Sequence, residues 1–298
     1  RSRLDTGLPR RILLAMTMIF TLSFLLFTLS TNLAYGQDSS TITAIPPRLE
    51  LNIKPGETIK TQLKVRNESS YTQTYDINLT DFIVTDDSGT PIPILSDINT
   101  KFAASKWITA PSLIPVDSKK TQYVNLTITA PQNAAPGGHY ALLTYSPHSD
   151  NKPGDMKKTG SLIGQQTGTI LYLTVPGVIK QNAQINRFRT DKFNEMGPVN
   201  FEIKVKNLSD VHIAPKGKLI IKDFLGKIVS SEELAMGNIF PNSLRSDSAI
   251  WNQKWGYGKY QANLELAYGT AGGLLTATIF FWLFPIRLVT YILILVIS

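Results

Sequence analysis

The 298-residue chain contains no cysteine and only three histidines. The missing cysteines exclude disulfides, thiolate metal sites and thiol nucleophiles, so an exported fold of this composition must be held by its apolar core alone. The histidines, His139, His148 and His212, stand in no metal-ligand spacing. There is no nucleophile-elbow G-x-S-x-G, no P-loop and no dinucleotide-binding glycine pattern. Nothing in the chain therefore points to catalysis or to a cofactor. Basic residues are scattered apart from short pairs such as Lys119-Lys120 and Lys157-Lys158. That distribution lacks the clustered footprint of a nucleic-acid binder.

What is present begins at the N-terminus. Arg1, Arg3, Arg10 and Arg11 precede Ile12–Leu29, an uncharged apolar stretch, and Ala34-Tyr35-Gly36 follows with small residues at the −3 and −1 positions of a cut. This is the layout of a secretory signal peptide over residues 1–36, with an uncleaved anchor as the alternative. Those residues carry four arginines and one aspartate, which leaves +5 of the net charge of +8 for the rest. At the other end, Ile279–Ser298 contains one charge, Arg287. We expect Leu274–Leu283 to be a last strand and residues 285–298, opening on Pro285, to begin a transmembrane helix. Phe281, Trp282 and Phe284 would then lie at the bilayer interface.

Between the ends, alternation of apolar and polar residues dominates. It runs through Leu49, Leu51 and Ile53, through Ile59 to Val65, through Tyr75, Ile77 and Leu79, and through Val124, Leu126 and Ile128. It resumes at Val199 to Val205, Leu219 and Ile221, and most cleanly at Tyr260, Leu264 and Leu266. A period of two marks strands with one face in a core and one in water, and short strands between turn clusters mean a sandwich or barrel. The predicted fold is all-β: two tandem immunoglobulin-like β-sandwich domains, residues 37–176 and 177–284, meeting near Pro176-Gly177. Lys64-Val65-Arg66-Asn67-Glu68-Ser69 is echoed by Lys204-Val205-Lys206-Asn207-Leu208-Ser209. We read the echo as one corner used twice, closed by side chains that bond their own backbone.

Candidate sites are few. Asp86-Asp87-Ser88-Gly89, with Asp81 nearby, offers carboxylates for calcium but reads first as a hairpin turn. Asn67, Asn78, Asn125 and Asn207 match the glycosylation triplet. Trp107 and Trp251 are expected in the core, whereas Trp255 and Tyr257 are candidates for an exposed aromatic platform. In the first domain the candidate ligand surface combines Gly137, Gly138, His139 and Tyr140 with the loop from Ser146 to Thr167, which carries Lys152, Lys157 and Lys158.

Leu51-Asn52-Ile53-Lys54-Pro55-Gly56, Ile128-Thr129-Ala130-Pro131 with Ala135-Pro136-Gly137-Gly138-His139-Tyr140, Phe240-Pro241-Asn242-Ser243 and Gly258-Lys259-Tyr260 occur in this order. In these segments and in their order the chain resembles the WxL-interacting cell-surface proteins of bacteria. That resemblance implies two immunoglobulin-like domains and a C-terminal membrane helix, with the first domain on peptidoglycan and the second on a partner surface protein. The expectation is thus a non-catalytic, membrane-tethered cell-surface scaffold, single-pass in the cell membrane with both domains outside. It would engage peptidoglycan or another surface protein and hold the lipid bilayer through its C-terminal helix. The alternative is an envelope assembly factor or chaperone acting by strand or loop presentation.

Overall fold

The computed structural model describes residues 42–94, 100–148 and 167–297. The signal-peptide region and Lys152, Lys157 and Lys158 lie outside these residues. The described chain is mostly β, with one C-terminal α-helix. Its first part comprises β1 (Ile42–Ile45), β2 (Arg48–Asn52), β3 (Thr58–Asn67), β4 (Gln73–Thr80), β5 (Phe82–Ile83), β6 (Ile92–Pro93), β7 (Ile108–Thr109), β8 (Leu113–Val116), β9 (Thr121–Thr129), β10 (Gly137–Pro147) and β11 (Thr167–Val175). A sheet of order β1-β3-β9-β7 faces a sheet of order β2-β11-β10-β4-β8. Alternation explains the packing. Leu63, Val65, Val124, Leu126 and Ile128 from one sheet meet Tyr75, Leu143, Tyr145, Leu171 and Leu173 from the other, all at most 1% exposed.

The second part repeats the plan with β12 (Ala183–Arg189), β13 (Phe193–Asn194), β14 (Val199–Asn207), β15 (Lys216–Lys222), β16 (Ile228–Ala235), β17 (Leu244–Trp251), β18 (Gly258–Tyr268) and β19 (Gly273–Leu283). The sheets run β12-β14-β17 and β13-β19-β18-β15-β16. Phe201, Ile203, Val205, Leu219, Ile221, Leu264, Leu266 and Phe281 fill the space between them. Trp251 is buried there as expected, and Trp107 packs partly buried against the first core.

The echoed corner is the same construction in both sandwiches. Asn67 and Asn207 are fully buried. Asn67 Nδ2 donates to the carbonyls of Tyr71 (2.8 Å) and Val116 (3.0 Å), and its Oδ1 accepts the Ser69 N–H at 2.9 Å. Asn207 Nδ2 donates to Val211 (2.8 Å) and Ile239 (2.8 Å), and its Oδ1 accepts the Ser209 N–H at 2.7 Å. Each amide thus ties a strand end to the carbonyl four residues on and to a segment of the facing layer. Burial also removes both asparagines from reach of glycosylation in the folded chain. Leaving one buried polar partner unmet costs about 1–3 kcal/mol. Asn207→Ala leaves three unmet, so it should destabilise the second sandwich by about 3 kcal/mol, read in denaturant melts. Asn78→Ala, at an exposed position, should leave the midpoint unchanged.

The two sandwiches differ in where their first strand changes sheet. In the first, the chain crosses at Pro46, after only the four residues of β1. β2 then runs parallel to β11, from Arg48 opposite Ile170 to Asn52 opposite Thr174. Ile170 N–H to Pro47 O and Ile53 N–H to Thr174 O, both 3.0 Å, extend that pairing at each end. In the second, the crossing follows the seven residues of β12, and β13 reaches β19 only at Phe193↔Trp282 and Asn194↔Leu283.

The last element, α1 (Ile286–Ile297), begins just after Pro285, as a proline suited to the first turn predicts. It has 12 described residues. No helix among the described residues is long and apolar enough to cross a membrane, which corrects the expected transmembrane helix. The interfacial role expected for Phe281 is corrected too. Its side chain faces inward on β19 and is fully buried, stacked on Tyr260 at 5.7 Å and edge-on to Phe201 at 5.5 Å. Arg287 pairs with Glu195 at 3.2 Å.

Candidate functional site

Gly137, Gly138 and Tyr140, singled out in the first sandwich, form part of a joint with the second. Gly137 and Gly138 open β10 and are buried against the turn after β14. Gly137 has φ +128°, and a Cβ there would lie 2.6 Å from the Asp210 carbonyl, so the position admits glycine alone. Gly138 N–H donates to that same carbonyl at 2.8 Å. The Tyr140 hydroxyl accepts the His212 N–H at 2.7 Å. Its ring stands edge-on to Tyr172 and Phe240, 5.6 and 5.1 Å away, and Tyr172 stacks on the His212 ring at 4.7 Å. Burial raises the Tyr140 phenol and lowers His212, so both stay neutral. His139 is 4% exposed and lies against Trp107, its Nε2 2.8 Å from the Ala135 carbonyl.

The acidic residues weighed for calcium are each engaged by protein groups. Asp81 accepts the N–H groups of Ala104 and Ser105. Asp86 accepts the Ser88 N–H in the β5–β6 hairpin, where Gly89 has φ +76°. Asp87 pairs with Lys204 of the second sandwich and accepts the Ser246 hydroxyl at 2.8 Å. The Lys204 contact leads in holding its carboxyl below the usual range. Lys101 reaches Asp210 at 2.7 Å from the other side. An aromatic cluster ringed by charged and polar ties thus fastens the sandwiches together. Sequence reasoning found its β10 members but assigned them to ligand binding, because alternation cannot show that a strand's first residues abut the other sandwich.

Trp255 and Tyr257 stand elsewhere. They follow Trp251, which pairs with Val199 at the start of β14, whereas the joint lies at the Asn207 end of that strand. Trp255 is half-buried with the Lys254 ammonium over its ring at 5.8 Å, and Tyr257 is 68% exposed. The structure does not bring these two and the Gly137–Tyr140 segment together.

The feature that the sequence did not show is an open strand edge. From Leu274 to Phe281, eight residues, β19 is paired to β18 on one side and to no described strand on the other. Trp282 and Phe284 donate their N–H groups outward, to Lys192 and Asn194. Backbone groups alternate sides along a strand, so those of Leu274, Thr276, Thr278 and Phe280 face the bare edge. Beside it lies an open cleft of about 580 Å³ between β12 and β19, lined on the apolar side by Ala183, Ile185, Phe188, Leu275, Ala277 and Ile279. Natural edges are blunted by charge, proline, bulges or cover. β2 carries Arg48 and Glu50, β8 has Pro115, β16 has Glu232 and Glu233, and β12 breaks register between Ile185 and Arg187. β19, GLLTATIFFWL, has no charge, no proline and an unbroken register. β9 is also bare, from Thr121 to Leu126, with β8 packing across that side from the facing sheet, as β12 packs beside β19.

No family model and no curated protein matches the chain. Among solved structures it is similar to the class 5 fimbriae chaperone CfaA, at 13% identity and a TM-score of 0.41, covering 81% of this chain and 99% of that one. It is similar to the E. coli chaperone DraB at 15% identity and 0.37, covering 82% and 96%. It is also similar to the Salmonella enterica SafA pilin–SafB chaperone complex at 11% and 0.39, covering 80% and 96%. At these scores the likenesses assign nothing further to this chain. One finding corrects the expectation of a membrane-tethered, single-pass cell-surface scaffold on peptidoglycan or a partner surface protein. No described helix is long and apolar enough to cross a bilayer, so the expected transmembrane tether is not found among the described residues.

Proposed function

We propose that the chain is a non-catalytic envelope assembly factor, a chaperone-like body of two tandem immunoglobulin-like sandwiches that works by presenting a strand edge to a partner polypeptide. The observation that carries this reading is the bare edge of β19, eight residues long and without the devices that keep edges apart. The joint supports it. With Asp87–Lys204, Lys101–Asp210 and the Tyr140 cluster in place, the edge is offered by one fixed body rather than by a swinging domain. Strand addition draws affinity from main-chain bonds and specificity from alternate side-chain pockets, and it needs no catalytic group.

The test is deletion of the gene in the source organism, followed by quantitative proteomics of the envelope. Loss of an assembly factor should deplete at least one envelope polypeptide, its client. The wild-type chain should restore that client, and a chain with Thr276→Pro, which removes one outward N–H from β19, should not. An unchanged envelope proteome, or full restoration by Thr276→Pro, would overturn the reading.

A further inference from the structure

The chain itself shows what fits the bare edge. The two sandwiches share one plan, and in the first the last strand, β11, is covered where β19 is not. Its cover is β2, an extended segment in which Leu49 and Leu51 alternate with Arg48, Glu50 and Asn52. Leu49 and Leu51, with Ile53 just beyond, pack on the first core while the polar residues face water. In the second sandwich the corresponding residues remain in β12, on the facing sheet, because the crossing comes late. The cover stops at Trp282, and beyond it Leu275, Ala277 and Ile279 are only partly buried against the core.

We infer that β19 takes an extended segment of a partner polypeptide, seven or eight residues with aliphatic side chains at alternate positions, laid along Leu274 to Phe281 as a continuation of the β13–β19 pairing. The inference rests on the assembly reading only for the origin of that segment. An eight-residue strand covers about 26 Å. Its backbone would meet the N–H and carbonyl groups of Leu274, Thr276, Thr278 and Phe280. Its aliphatic side chains would enter the cleft over Ala183, Ile185, Leu275, Ala277 and Ile279. No lysine, arginine, aspartate or glutamate of β19 lines that path, so the inward side chains should be uncharged. Arg187 and Arg189, at the rim on β12, already share Glu202.

The experiment uses the full chain and, as probe, a synthetic peptide of residues Pro47 to Lys54, whose aliphatics alternate as the cover strand's do. A second peptide of the same composition has its three aliphatics placed together. The alternating peptide should bind and slow amide exchange at Leu274, Thr276, Thr278 and Phe280 by tenfold or more. The rearranged peptide should bind at least tenfold more weakly, as should the alternating peptide to the Thr276→Pro chain. Equal binding of both peptides, unweakened binding to Thr276→Pro, or protection confined to Ile170–Thr174 would overturn the inference. So would light scattering that shows a dimer with those four β19 amides already protected, since a second copy would then hold the edge. The result separates from the assembly reading. Absent peptide binding with a depleted client in the deletion strain moves the partner to another edge, whereas binding without a depleted client keeps the edge and removes the assembly role.

Discussion

Ala277→Pro should prevent the second sandwich from folding, while Thr276→Pro, one residue away, should fold with nearly unchanged stability. The contrast follows from the direction of two N–H groups. Ala277 stands opposite Leu264 of β18, with its backbone groups turned into that ladder. A proline there deletes a bond in the middle of the sheet, leaves a buried carbonyl unmet at about 1–3 kcal/mol and drives its ring against β18. Thr276 turns its N–H to the bare edge, where no described partner accepts it, and proline is tolerated on an edge whose N–H faces solvent. Circular dichroism and thermal melts of the two variants read the difference. Equal loss of folding in both would mean that the β19 edge is covered.

Leu264→Ala should cost about 2–5 kcal/mol, the range for a fully buried leucine cut back to its β-carbon. Leu264 is 0% exposed in the core between the two second-sandwich sheets, on a strand flanked by β15 and β19. Neighbours pinned on both sides relax little into the space, which favours the upper half of that range. The variant should show a lower denaturant midpoint with an unchanged slope. A midpoint within experimental error of the wild type would place Leu264 outside the core.

Both results bear on how the function is reached. A closely packed core holds β18 in one continuous register, and β18 is the only described strand holding the length of β19. The edge can therefore stay open without unravelling, because its other side is paired over all eleven residues, from Gly258 opposite Leu283 to Tyr268 opposite Gly273.

The strands were legible because their cause is local. Alternation at Ile59 to Val65, Val199 to Val205 and Tyr260 to Leu266 becomes β3, β14 and β18, since a period of two places every second side chain on one face. The paired Asn-x-Ser corners were legible for the same reason, because a side chain bonding its own chain within four residues leaves its mark within four residues. The interfacial reading failed at Phe281, where hydrophobicity alone cannot tell a lipid-facing ring from one buried between sheets. The joint needed tertiary structure: Gly137 and Asp210 are brought together by docking, and nothing near either residue announces the other. The open edge needed it most. Whether β19 is covered depends on where the preceding strand changes sheets, at Pro46 in one sandwich and after Arg189 in the other. That choice is made by packing across the whole sandwich, so the composition of β19 set what the edge could accept, and only the fold decided that it would be left bare.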